Sequence, residues 1–213
     1  MTAKKPHVSI YDTTLRDGCQ GEDVSLTLAD KLRIVGKLDE LGVDRIEGGW
    51  PGSNPRDEEF FREVRNLRLR HARIAAFGMT RRAGTTASMD LTLRKLVEAE
   101  TPVITIFGKT WDLHVREDLG ISREENLEVI HDSVAYLKRH AQEVIFDAEH
   151  FFDGYCADRE FAVSCLRAAA EAGADWLVLC DTNGGNVPSL IAEATRAAGA
   201  EIPSTPLGIH CHN

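Results

Sequence analysis

The sequence predicts an α/β fold: a (β/α)8 TIM barrel that is incomplete, with about seven strands and six helices present. Three observations predict it. Short runs rich in branched apolar residues alternate with longer stretches of helical periodicity. Each short run is near-continuously apolar, as parallel strands buried on both faces must be. No G-x-G-x-x-G follows the first run, which disfavours the rival, an open doubly wound sheet.

The runs expected as strands are Val8 to Tyr11, Asp44 to Glu47, Arg73 to Phe77, Val103 to Phe107, Glu143 to Asp147, Trp176 to Cys180 and Leu207 to Cys211. Between them, Leu28, Leu32, Val35, Leu38 and Leu41 recur at helical spacing, and Gly42 follows as a C-terminal cap. Ser122-Arg123-Glu124-Glu125 has the spacing of a capping box, ahead of an apolar stripe of Leu127, Ile130, Val134 and Leu137. Asp158 is placed to cap the next helix, with Phe161, Cys165, Leu166 and Ala169 facing inward and Gly173 ending it. Further helices are expected near Asp57 to Leu67, near Ser88 to Glu100 and from Val187-Pro188 onward, since Pro suits a first turn. Glu40-Leu41-Gly42-Val43-Asp44 and Glu171-Ala172-Gly173-Ala174-Asp175 repeat one helix-to-strand corner, as a βα repeat would.

Composition narrows the class. An apolar content of 43% with 28% charged residues is that of a globular protein. No apolar run approaches the ~20 residues of a membrane helix. The opening Met1-Thr2-Ala3-Lys4-Lys5-Pro6 is too short and polar for a secretion signal, so a cytoplasmic protein is expected. A net charge of −9 argues against nucleic-acid or anionic-membrane partners. The five cysteines are scattered and form no C-x-x-C, which fits reduced thiols.

In a parallel barrel the chemistry gathers at the C-terminal ends of the strands. The first strand ends Asp12-Thr13-Thr14-Leu15-Arg16-Asp17-Gly18. This is either a solvated turn or a site where Asp17 binds a hard cation and Arg16 faces anionic oxygen. His210-Cys211-His212 on the seventh strand puts two imidazoles on one side, ~6.6 Å apart at their Cα atoms. With Asp17 at the same rim they would form a two-His, one-carboxylate site with open positions. Asp147 and Glu149 share one face of the fifth strand, as a structural ion pair or as working carboxylates. Cys180-Asp181-Thr182-Asn183-Gly184-Gly185 could bind a carboxylate and is also good loop chemistry. Gly48 and Gly49 permit close backbone approach. Gly108-Lys109-Thr110 lacks the upstream glycine of a phosphate loop, because position 103 is Val103, so nucleotide binding is discarded. His71, His131 and His140 fall on helices or connections and are expected to be solvated.

Taken together, Asp12-Thr13-Thr14-Leu15-Arg16-Asp17-Gly18 and His210-Cys211-His212-Asn213, in that order, resemble the metal-dependent acyl-CoA condensing enzymes built on a TIM barrel. That family includes the 2-isopropylmalate, homocitrate and citramalate synthases, with hydroxymethylglutaryl-CoA lyase as a cousin. Glu47-Gly48-Gly49-Trp50-Pro51-Gly52-Ser53-Asn54-Pro55 and Phe107-Gly108-Lys109-Thr110-Trp111-Asp112-Leu113-His114-Val115 look like the citramalate-synthase branch. The resemblance runs from about Val8 to Asn213.

The resemblance implies that Asp17, His210 and His212 hold a divalent ion (Mg2+, Mn2+ or Zn2+) on which a 2-oxo acid chelates. Arg16 would stabilise charge on the carbonyl or enolate oxygen. Glu149 would orient or activate the acetyl group of acetyl-CoA, and Thr182 would bind the substrate carboxylate. The implied reaction joins acetyl-CoA to pyruvate and gives (R)-citramalate for isoleucine synthesis. The alternatives are 2-isopropylmalate synthesis from 2-oxoisovalerate, or a lyase running similar chemistry backward. Bulk near Phe77, Met79 and Phe107 would favour pyruvate. Residues 1–213 are expected to be an N-terminal catalytic barrel, with the rest of the barrel and a regulatory region beyond Asn213, and the complete protein a homodimer.

Overall fold

Strand and helix alternate along residues 8–212, the part of the chain that the computed structural model describes. Met1–Pro6 and Asn213, on which the leader and closing-motif expectations partly rest, lie outside the described residues. The chain divides into two compact units, Met1–Phe77 and Gly78–Asn213.

The first unit holds β1 (Tyr11–Asp12), α1 (Leu28–Leu41), β2 (Arg45–Gly49), α2 (Pro55–Val64) and most of β3 (Arg73–Met79). Thr27 starts α1 through a reciprocal capping box with Asp30, and Gly42 ends it in the left-handed region at φ 87°. The inward stripe differs from the expected one at its end: Leu41 is 77% exposed, whereas Asp39 is buried. The Asp39 carboxylate accepts the backbone N–H groups of Arg70, His71 and Ala72, so its burial is satisfied. β2 runs parallel to both β1 and β3, with Tyr11 opposite Arg45 and Ile46 opposite Ile74. All five residues of β2 are buried, including the charged Arg45 and Glu47. Leu15, Val35, Ile46, Phe60 and Phe61 fill this unit's core.

The second unit holds α3 (Leu91–Glu98), β4 (Val103–Lys109), a single turn α4 (Asp112–His114), α5 (Arg123–Lys138), β5 (Glu143–Glu149), α6 (Phe151–Ala157), α7 (Arg159–Glu171), β6 (Trp176–Asp181), α8 (Pro188–Glu201) and β7 (Leu207–Cys211). β4, β5, β6 and β7 pair in parallel in that order. Asp90, Ser122 and Asp158 cap α3, α5 and α7 by accepting a backbone N–H three residues on, and Pro188 opens α8. Phe146, Phe151, Phe152, Leu93, Leu96 and Ile130 are among its fully buried side chains.

Two expectations change. The described helices number eight rather than six, because α4 and α6 are added. Several strands also run further than their apolar cores: β3 reaches Met79, β4 Lys109 and β5 Glu149. β1 departs the other way: Val8 and Ile10 are 79% and 56% exposed, and the ladder begins only at Tyr11.

Candidate active site

In the first unit, the loop after β1 is folded by its own polar groups. Asp12 accepts the Thr14 N–H, and the Thr13 carbonyl accepts the N–H groups of Arg16, Asp17 and Gly18. Leu15 is fully buried and anchors the loop. Arg16 and Asp17 are thereby brought together, Nη1 to Oδ1 at 3.2 Å. The Arg16 Nε donates to the buried carboxylate of Glu47, whose other oxygen accepts the Tyr11 hydroxyl at 2.6 Å. The guanidinium carbon also lies 3.8 Å from the centroid of the Phe77 ring. Burial pushes the Glu47 carboxyl above its usual range, opposed by Arg16 and Tyr11. Burial likewise disfavours the Arg16 cation, but Glu47 and Asp17 outweigh it, so Arg16 stays charged. In the sequence Glu47 closes the expected strand Asp44 to Glu47, and only its complete burial in the fold marks it as the partner of Arg16.

The two glycines after Glu47 are sterically required. A Cβ on Gly48 would lie 2.2 Å from the Phe60 ring. Gly49 has φ +148°, and a Cβ there would sit 2.6 Å from the Asp57 carboxylate. Asp57 in turn binds Lys31 Nζ at 2.9 Å and the Trp50 N–H at 2.9 Å, fixing the chain as it leaves β2.

In the second unit, the ends of β4 and β5 meet side by side. Lys109 is directly opposite Glu149 in the ladder. Lys109 Nζ lies 2.7 Å from Glu149 Oε2. Thr110 donates to the Glu149 carbonyl through both its N–H and its hydroxyl, at 3.2 and 2.8 Å. His150 follows with a left-handed backbone, φ 56°. Its ring packs edge-on against His114, centroids 4.4 Å apart, and His114 lies 4.8 Å from the Trp111 ring. Burial, with His150 and Lys109 nearby, lowers the His114 pKa and keeps that ring neutral near pH 7.

The ends of β6 and β7 complete this unit's polar rim. The Thr182 hydroxyl oxygen accepts the His150 N–H at 2.9 Å, which leaves its own proton to donate. Asp181 has a structural task, accepting the Asn186 amide at 2.7 Å. His212 Nδ1 lies 2.9 Å from the Thr182 carbonyl, which can only accept. Nδ1 therefore carries the proton, and the ring's lone pair sits on Nε2. The His210 and His212 rings are 4.8 Å apart. Asp147, Cys180 and His210 also offer ligand atoms within 4.8 Å of one another. His71, His131 and His140 are exposed, as expected.

Of the sequence candidates, Arg16 and Asp17 are thus neighbours in the first unit. Glu149, Thr182, His210 and His212 lie at strand ends of the second.

Comparison with known proteins identifies the family. The family profile described as HMGL-like matches residues 7–213. The (R)-citramalate synthase of Geobacter sulfurreducens is 56% identical over 206 residues, 97% of this chain and 39% of that protein. The (R)-citramalate synthase of Aquifex aeolicus is 53% identical over the same share of each chain, 97% and 39%. This chain therefore spans about two fifths of the length of these relatives. The HMG-CoA lyase of Brucella melitensis superposes with a TM-score of 0.77 at 19% identity, over 97% of this chain and 72% of that one. The fold is accordingly the expected incomplete TIM barrel, and among the described residues no helix is long and apolar enough to cross a membrane. With its sequence matched almost end to end and its fold shared, the chain belongs to the HMGL-like family.

Proposed function

We propose that this chain carries the catalytic barrel of an (R)-citramalate synthase, which condenses acetyl-CoA with pyruvate and releases CoA. The observation that carries the reading is the His212 tautomer: Nδ1 is committed to the Thr182 carbonyl, so the lone pair that can bind a metal is on Nε2. A histidine fixed in this way by a carbonyl is the usual form of a metal ligand. The identity to the two synthases supports the choice of reaction.

In this reading Asp17, His210 and His212 hold a divalent ion, Mg2+, Mn2+ or Zn2+, and the mixed oxygen and imidazole donors fit such an ion. The bound ion supplies Lewis-acid polarisation of the keto group. The Thr182 hydroxyl donates to the pyruvate carboxylate. Glu149 orients and activates the acetyl group, whose methyl gives up a proton; the resulting enolate attacks the keto carbon, and the alkoxide formed there takes up a proton in turn. Arg16, held by Glu47, stabilises the negative oxygen. Water then cleaves the thioester, so acetyl-CoA, pyruvate and water yield citramalate and CoA. The complete protein acts as a homodimer.

The test is a substrate panel on the complete gene product. Pyruvate, 2-oxoisovalerate and 2-oxoglutarate are offered with acetyl-CoA, and free CoA thiol is followed with and without Mg2+ or Mn2+. Metal-dependent turnover with pyruvate fastest is expected. Faster turnover of 2-oxoisovalerate would point to 2-isopropylmalate synthesis, and thiol release without any metal response would overturn the proposal.

A further inference from the structure

Gly108-Lys109-Thr110 has no role as a phosphate loop, but β4 presents it directly to β5. Lys109 is the last residue of β4 and Glu149 the last of β5, paired in register. Their side chains are 19% and 22% exposed and meet at 2.7 Å. The other carboxylate near this ammonium, Asp118, is further away at 3.8 Å and is 53% exposed, so solvent screens it more.

The backbone under the pair is rigid. The Lys109 carbonyl accepts the amide of Asn126, which is 1% exposed. Gly108 leaves room for the Phe146 ring, which a Cβ would approach to 2.8 Å. Thr110 binds the Glu149 carbonyl twice. Glu149 is therefore held at its carboxylate by the Lys109 charge 2.7 Å away, without an aligned hydrogen bond to Oε2, and at its backbone by Thr110. Trp111, His114 and His150 pack against one another nearby, and His114 is close enough to Lys109 and Glu149 to feel both charges.

We infer that Lys109 is a positioning residue for Glu149, holding the carboxylate in the orientation in which it works on the acetyl group. The inference rests on the proposed role of Glu149. Lys109 has no separate task on the substrate. Removing it releases a carboxylate that can swing away, and misplacement of a reacting group by about 1 Å costs on the order of 10²-fold in rate.

The experiment is a double-mutant cycle in the complete gene product, reading kcat and the KM for pyruvate and for acetyl-CoA. Glu149→Gln and Lys109→Met should each lower kcat, with the KM for pyruvate unchanged. Lys109→Arg, which keeps the charge, should restore most of the kcat. The double variant should be no slower than Glu149→Gln alone, because coupled residues are not additive. Thermal melts check folding, and Lys109→Gln replaces Lys109→Met if the latter melts early. Full kcat in Lys109→Met beside an impaired Glu149→Gln overturns the positioning role alone. Additive losses overturn it too, since Lys109 would then act on the substrate itself. An unimpaired Glu149→Gln removes Glu149 from the chemistry, and the inference falls with the reading beneath it.

Discussion

Arg16 donates through Nε to the fully buried carboxylate of Glu47, which in turn accepts the Tyr11 hydroxyl. This chain of contacts sets the direction of the guanidinium. Glu47→Gln keeps the size of the side chain and removes the charge that holds Arg16. We expect kcat of the complete gene product to fall by about 10²-fold, the scale seen when a charge-stabilising donor is lost. Tyr11→Phe leaves the ion pair intact and should cost less. Steady-state kinetics on both variants check this, and equal losses would contradict the ranking.

Metal affinity offers a second measurement. His212→Ala removes an imidazole whose tautomer is fixed by the Thr182 carbonyl at 2.9 Å. Loss of an outer partner of a metal ligand already costs about 10–100-fold in affinity. Loss of the ligand should cost at least that much, read as Mn2+ binding by electron paramagnetic resonance. His131→Ala, on an exposed helix surface, should bind Mn2+ as the wild type does.

Acid stability should report on Asp39. Burial opposes ionisation of this carboxyl, yet the N–H groups of Ala72, Arg70 and His71 hold its pKa below the ordinary aspartate value. The folded value is the lower one, so the unfolded chain binds the proton more readily. The stabilisation is complete above the unfolded value of about 3.9 and is lost as pH falls through the folded value. Asp39→Ala should destabilise at neutral pH by about 1–3 kcal/mol, the cost of orphaning buried donors. It should also flatten the pH dependence below pH 4. Urea unfolding at pH 6 and pH 3 on both proteins gives the comparison.

Legibility from sequence followed the strength of local signals. The bounds of α1 were readable because its apolar recurrence runs from Leu28 to Leu41 and Gly42 is a true left-handed cap, whereas the Thr27 cap carried no such signal. β4 and β5 were read two residues short, because their apolar runs stop where the polar strand ends begin. Lys109 and Glu149 still belong to the ladder, so a hydrophobic criterion must miss them. α6 was missed because Gly154 interrupts its pattern. That glycine is needed, since a Cβ there would lie 2.3 Å from the Thr110 carbonyl oxygen. At the site, Arg16, Asp17, Glu149, Thr182, His210 and His212 stood out as polar residues at strand ends. Glu47 did not, since it lies inside a buried strand. Lys109 was set aside with the nucleotide motif it resembles, and only its register against Glu149 gives it meaning.

The left-handed turn at His150 narrows how this region can diversify. Glycine there would relax the backbone and lose the ring that faces His114. Asparagine would keep both a side chain and the conformation, while a β-branched residue would fit neither. A library aimed at a different 2-oxo acid would gain more by varying Met79 or Phe107, whose backbones lie in ordinary extended strand. Geometry and chemistry together leave the position after Glu149 a very small alphabet.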